Sequence, residues 1–195
     1  MSSLVHTSEF CKSVFDLGQL PGDGLPEIAF AGRSNVGKSS LMNRLLNRRN
    51  LVKVSSRPGF TQSLNFFLVN GRVYFVDLPG YGFARAPKHV IRQWHRLVDG
   101  YLEGSEYLRA VVCILDIRRR PDPLDLDLLE YLNSIGRSIC VVLNKADKIS
   151  QPKRKARLKE IGQVLPAFVS DIVVVSAKTG EGVPGLCSTL FSRVD

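Results

Sequence analysis

With 195 residues, 44% of them hydrophobic and 23% charged, the chain has the apolar material for one domain with a sizeable core, which excludes the disordered and collagen-like classes. Its 27 Lys+Arg against 18 Asp+Glu give a net charge of +9 and a pI near 9.7, a balance that suits an anionic partner such as RNA and equally a generally solvated basic surface. No run of about 20 apolar residues is present and Met1–Phe10 lacks a basic start followed by an apolar stretch, so neither a membrane span nor a leader is expected and the chain reads as cytosolic.

In chain order, residues 1–24 form an N-terminal extension. In it Phe10, Val14, Phe15 and Leu17 could pack as a short edge element, and Leu20-Pro21-Gly22-Asp23-Gly24 reads as a connector. From there, 25–195 reads as one domain in which apolar runs alternate with amphipathic stretches. Strands are expected at Ile28–Ala31, Leu64–Val69, Val73–Val76, Ala110–Leu115, Ile139–Leu143 and Ile172–Val175. Helices are expected at Lys38–Leu46, Lys88–Leu102, Leu124–Asn133, Pro152–Val164 and Val183–Phe191. The pattern predicts an α/β fold with a mainly parallel six-stranded sheet covered by helices on both faces. Asn70-Gly71, suited to a type I′ turn, adds one antiparallel hairpin. Cys11, Cys113, Cys140 and Cys187 are scattered without a C-x-x-C pair, as expected of reduced thiols, and His6, His89 and His95 lack metal-like spacing.

Directly after the first predicted strand stands Gly32-Arg33-Ser34-Asn35-Val36-Gly37-Lys38-Ser39, followed by Ser40, a full G-x-x-x-x-G-K-[ST] between strand and helix. The glycines let the backbone wrap phosphate, the amides and helix N-terminus direct positive charge at it, and Lys38 adds a full charge on the β/γ oxygens. Ser39 offers a hydroxyl to Mg²⁺. Further on, Asp77-Leu78-Pro79-Gly80 ends an apolar strand in the D-x-x-G arrangement of GTPases: Asp77 can hold a Mg²⁺-bound water and the Gly80 amide can meet a γ-phosphate. Between them Gly59-Phe60-Thr61 offers Thr61 as a second protein ligand to Mg²⁺ in a loop that should order around GTP.

Asn144-Lys145-Ala146-Asp147 matches the guanine-reading N-K-x-D motif. A carboxylate at Asp147 accepts from both N1–H and the 2-amino group of guanine, and adenine has no donors there, so such a site can reject the wrong base by about 10⁴-fold. Asn144 is placed to tie this loop to the phosphate loop, and the Lys145 stem to cover the base. In Ser176-Ala177-Lys178 the Ala177 amide would meet guanine O6.

Taken together, Pro26–Ser40, Pro58-Gly59-x-Thr61-Gln62, Leu64-Asn65-Phe66-Phe67, Asp77–Gly82 and Asp116-Ile117-Arg118 closely resemble the EngB (YihA/YsxC) family of bacterial GTPases, in the TrmE-Era-EngA-EngB-Septin-like class. The resemblance runs from about Glu9 to the end. It implies a Ras-like P-loop NTPase G domain that binds GTP and GDP with Mg²⁺ and assists assembly of the large ribosomal subunit, with a proposed role in normal cell division. Two departures stand out. Phe60 occupies a position where the family commonly has Lys or Arg, and Asn144 begins a motif that there often starts with Thr.

Ras-type proteins place a water-orienting glutamine directly after the D-x-x-G glycine, but here the residue is Tyr81, so slow intrinsic turnover is expected. Lys38 and Asn35 are the candidate catalytic residues. Asn35 resembles the P-loop asparagine of potassium-activated GTPases, which holds K⁺ near the phosphates, and the alternative is an asparagine that bonds its own loop. Tyr81–Lys88 reads either as a state-dependent partner surface or as aromatic packing against the next helix. Three basic groups could meet rRNA and ribosomal proteins of a large-subunit precursor: one around Arg44, Arg48, Arg49, Lys53 and Arg57, one on the helix carrying Lys153 to Lys159, and Arg118-Arg119-Arg120. The alternative for each is a solvated face. A monomer is expected. Competing readings are a tRNA-modification GTPase, for which the chain has no room for a second catalytic domain, and an RNA-binding module with a vestigial nucleotide site.

Overall fold

The computed structural model describes residues 4–52, 63–81, 88–169 and 171–194, with side chains described at all of these except 88–95. Its elements are β1 (Ser8–Val14), β2 (Glu27–Gly32), α1 (Lys38–Leu45), β3 (Leu64–Val69), β4 (Val73–Asp77), α2 (Lys88–Gly104), β5 (Leu108–Asp116), α3 (Pro123–Ser134), β6 (Ile139–Asn144), α4 (Gln151–Gly162), β7 (Ile172–Val174) and α5 (Val183–Phe191). The strands form one sheet in the order β1-β3-β4-β2-β5-β6-β7. From β4 to β7 neighbouring strands pair parallel, and β3 runs antiparallel to both β1 and β4.

Among the described residues the sheet therefore has seven strands, not the six that the apolar runs predict. The extra one, β1, is hard to read because its register shifts between Phe10 and Lys12, which breaks the two-residue alternation, and because Phe10 remains 49% exposed at the sheet edge. Contacts distant in sequence hold it. The Asn70 side chain accepts from the amides of His6 and Thr7 and donates to Leu4 O, Arg48 donates to Ser8 O, and Ser8 Oγ donates to Leu46 O at 2.8 Å. Asn70 and Gly71, with φ of 52° and 65°, make the tight turn between β3 and β4.

Because both faces of the parallel strands are covered, their side chains alternate between two apolar layers. Ile28, Phe30, Val112, Ile114 and Val142 pack with Leu41 and Met42 of α1 and Leu186 and Leu190 of α5. Ala29, Ala31, Val111, Leu115 and Val141 pack with Tyr101 and Leu102 of α2, Leu129 and Leu132 of α3 and Ile161 of α4. Cys113, Cys140 and Cys187 are buried within these layers and all four cysteines are free; burial pushes the Cys140 and Cys187 thiols up to about 11.

A polar knot closes the amino-terminal end of the sheet. Glu27, only 2% exposed, accepts from Ser105 Oγ at 2.8 Å, and the Arg137 guanidinium donates to the carbonyls of Leu102, Glu103 and Ser105 at the end of α2. Burial raises the Glu27 pKa, against the lowering pull of the hydrogen bond from Ser105. A carboxyl raised in the fold costs stability when ionised and regains it as pH falls through its folded and then its unfolded pKa. Glu27→Gln is therefore expected to melt higher than the parent at pH 7.5, with the difference shrinking at pH 4.5, in thermal melts at the two pH values.

Candidate functional site

The carboxyl ends of β2, β4, β5 and β6 lie side by side, Phe30 opposite Asp77, Gly32 opposite Ile114 and Asp116 opposite Asn144. A parallel sheet offers its ligand crevice at this edge, since its strand-to-helix loops gather there. The first loop, from Gly32 to Lys38, carries Asn35 and Gly37 at positive φ, 68° and 94°. At Gly37 a side chain would be both strained and obstructed, for a Cβ there would fall 2.5 Å from Asn144 Nδ2. The loop delivers Lys38 to the start of α1, where its ammonium pairs with the Asp77 carboxylate at the tip of β4. Asp77 is only 5% exposed, and the Lys38 ammonium is the cation set against its buried carboxylate.

Asn144, 1% exposed, joins three loops. Its Nδ2 donates to Val36 O at 3.0 Å and to Gly37 O at 3.4 Å, and its Oδ1 accepts from the Ala177 amide at 3.1 Å. The Lys145 ammonium donates to Asn35 O and lies 3.0 Å from Asp116 Oδ2. Ser176 Oγ donates to Asp147 Oδ1 at 2.8 Å and accepts from the Thr179 amide at 3.1 Å, which aims the Asp147 carboxylate from the neighbouring loop. From α1, Arg44 donates to Ala177 O at 3.2 Å and Lys178 O at 2.7 Å.

On the other flank, the start of α3 is closed by a capping box: the Asp122 carboxylate accepts from the Asp125 amide and the Asp125 carboxylate from the Asp122 amide, with Pro123 in the first turn. Both acids also reach the site. Asp122 pairs with Arg33 of the phosphate loop, and Asp125 accepts from Tyr81 Oη at 2.8 Å. Burial raises both partners of the second contact, the Tyr81 phenol well above its usual range. Asp116 behaves oppositely. Although burial pushes it up, bonds from Arg118 and Lys145 outweigh this and hold its carboxyl well below the ordinary range.

Residues 27–145 match the family described as 50S ribosome-binding GTPase. The chain is 49% identical over 178 residues to the "Probable GTP-binding protein EngB" of Syntrophus aciditrophicus, covering 91% of this chain and 90% of that one. It is 43% identical over 193 residues to the protein of the same name from Halothermothrix orenii, covering 98% and 97%. The chain belongs to the EngB family of GTP-binding proteins. A crystal structure of an EngB protein superposes with a TM-score of 0.67 at 27% identity, covering 86% of this chain and 98% of that one. As an EngB-family member the chain is a GTPase, converting GTP to GDP and phosphate, and its fold is the P-loop G domain.

Within this EngB fold, residues 32–40, Asp77–Gly80, Asn144–Asp147 and Ser176–Lys178 are brought to one sheet edge. Gly59, Phe60 and Thr61 lie outside the described residues, as do Gly82–Pro87, Lys53 and Arg57. Tyr81, for which sequence suggested a partner surface or packing on α2, spends its hydroxyl on Asp125 of α3. The basic groups divide. Arg44 and Arg48 bind carbonyls, Arg118 binds Asp116, Arg154 pairs with Glu181 and Arg157 with Glu160, leaving Arg49, Arg119, Arg120, Lys153, Lys155 and Lys159 exposed. Sequence reading placed Arg33 in the phosphate loop but not its pairing with Asp122, and gave no role to Asp122 and Asp125, although Asp122-Pro123-x-Asp125 is a legible helix start. Arg44 had no local signal, since its partners lie on a distant loop.

Proposed function

We propose that this EngB-family GTPase is a nucleotide-dependent switch, binding GTP or GDP with Mg²⁺ and hydrolysing GTP slowly, that serves assembly of the large ribosomal subunit in the cytoplasm and thereby normal cell division. The observation that carries the switch reading is the convergence, at one sheet edge, of the Lys38–Asp77 pair with the loop bearing Asp147. In this reading Gly32–Ser40 cradle the phosphates, Asp147 and the Ala177 amide read guanine, and Lys145 covers the base. A hard, hydrated cation accepts few protein ligands when phosphate supplies the rest. The Ser39 hydroxyl and the Asp77 carboxylate through water, joined by Thr61, suit that chemistry. Mg²⁺, when bound, neutralises charge on the β- and γ-phosphate oxygens.

Among the protein's own groups, Lys38 adds positive charge where the leaving phosphate develops negative charge. Tyr81, engaged with Asp125, is not a water-orienting residue, which supports slow turnover. Asn35 is held at positive φ with its carbonyl bound by Lys145, and its side chain is the proposed K⁺ ligand. GTP turnover is expected to rise several-fold in KCl over NaCl and to lose that gain in Asn35→Ala; equal rates in the two salts would dispose of the potassium site.

Support for a ribosomal partner comes from the description of the matched family and from the exposed basic residues of α4 and of the segment after β5. A monomer suffices, and no helix among the described residues is long and apolar enough to cross a membrane. Co-sedimentation with large-subunit precursors should require GTP or a non-hydrolysable analogue and weaken steeply as salt rises, as phosphate contacts do. Binding indifferent to nucleotide would remove the switch from the proposal.

A further inference from the structure

We propose that Asp116, braced by Arg118, is a positioning residue for guanine nucleotide, setting Lys145 across the gap between the base-reading loop and the phosphate loop. At the end of β5, Asp116 stands opposite Asn144 in the β6 register, between the strand that feeds the phosphate loop and the one that feeds the base-reading loop. Arg118 grips both of its carboxylate oxygens, Nε to Oδ1 at 2.9 Å and Nη2 to Oδ2 at 2.7 Å, and the Arg118 amide adds a third bond at 3.1 Å. Such a fork fixes the carboxylate plane and leaves Oδ2 facing Lys145 Nζ at 3.0 Å.

Lys145 needs this brace. Its backbone has a φ of 68°, a left-handed conformation that side chains with a Cβ adopt only when their surroundings enforce it. Its long side chain has many rotamers, and the one it adopts beside Asp116 also reaches Asn35 O. Asp116 thus selects the rotamer in which the Lys145 stem lies over the base crevice and its ammonium clasps the phosphate loop. Asp116 has no direct contact with nucleotide in this arrangement, so it acts on how long the nucleotide stays and not on the encounter.

Asp116→Ala is expected to speed release of a fluorescent GDP analogue by about 10- to 100-fold with an association rate close to the parent's, the scale of one charge-assisted bond. Asp116→Asn, which keeps an acceptor for Lys145, should fall between. Combined with Lys145→Ala, Asp116→Ala should add nothing further, because both act through the same side chain. Arg118→Ala, an exposed change that leaves the core intact, should speed release in the same direction. Parent-like release from Asp116→Ala, or from Arg118→Ala and Asp116→Asn together should the alanine variant not fold, would overturn the assignment. Rate factors for Asp116→Ala and Lys145→Ala that multiply would do the same.

Discussion

Asp147→Asn is expected to lower GDP affinity by about 10²- to 10⁴-fold while leaving the melting temperature nearly unchanged, as the charge-assisted bond to the 2-amino group, at about 1.5–3 kcal/mol, is lost, the bond to N1–H loses its charge assistance, and an N–H is turned on the amino group. The fold should tolerate the change because Ser176 Oγ, which donates to Asp147 Oδ1 at 2.8 Å, can donate equally to an amide oxygen. The chemistry also predicts where specificity goes. An asparagine placed here keeps an acceptor for N1–H but turns an N–H toward position 2 of the base, where xanthine has a carbonyl and guanine an amino group. Xanthosine diphosphate should therefore bind the variant better than the parent. Calorimetric titration of GDP, ATP and xanthosine diphosphate against both proteins checks this, and parent-like GDP binding by the variant would remove Asp147 from the base-reading role.

Lys38→Ala should fail twice, in binding and in stability. The nucleotide loses the lysine that the phosphate loop itself supplies, for an expected fall in affinity of about 10²-fold or more. Independently, Asp77 keeps a buried charge without its ion-pair partner, a situation that costs about 3–5 kcal/mol. The two effects separate in the double variant Lys38→Ala/Asp77→Asn, which removes the orphaned charge. Its thermal midpoint should recover most of the lost stability while nucleotide affinity stays low. If the single variant melts like the parent, the pair contributes nothing to the fold.

The pH response of Glu27 and the potassium response of Asn35 probe opposite ends of the sheet. The Glu27 end is sealed by Arg137 and the end of α2. The Asn35 end is built from loops whose bonds run to one another, so ligand binding can be transmitted among them. Arg33 to Asp122, Tyr81 to Asp125 and Arg44 to Lys178 each tie one strand-end loop to another element.

What the sequence determined by itself was local. The phosphate loop, D-x-x-G, N-K-x-D and S-A-K motifs work through backbone amides and side chains a few positions apart, so spacing on a strand-to-helix turn carries their chemistry directly. The alternating apolar runs, buried on both faces, likewise marked the parallel strands. The tertiary structure decided everything that depends on partners far apart in the chain. The edge strand β1 is held by Asn70, Arg48 and Leu46, and a register shift hides its period. Arg44, one basic residue among 27, acquires its role from carbonyls 134 positions away at Lys178. Asp116 faces Lys145 only because β5 and β6 pair in the register that sets it opposite Asn144. A side chain's charge is written in the sequence, but whether that charge meets solvent, a carbonyl or another charge depends on packing that brings distant segments within a few ångströms.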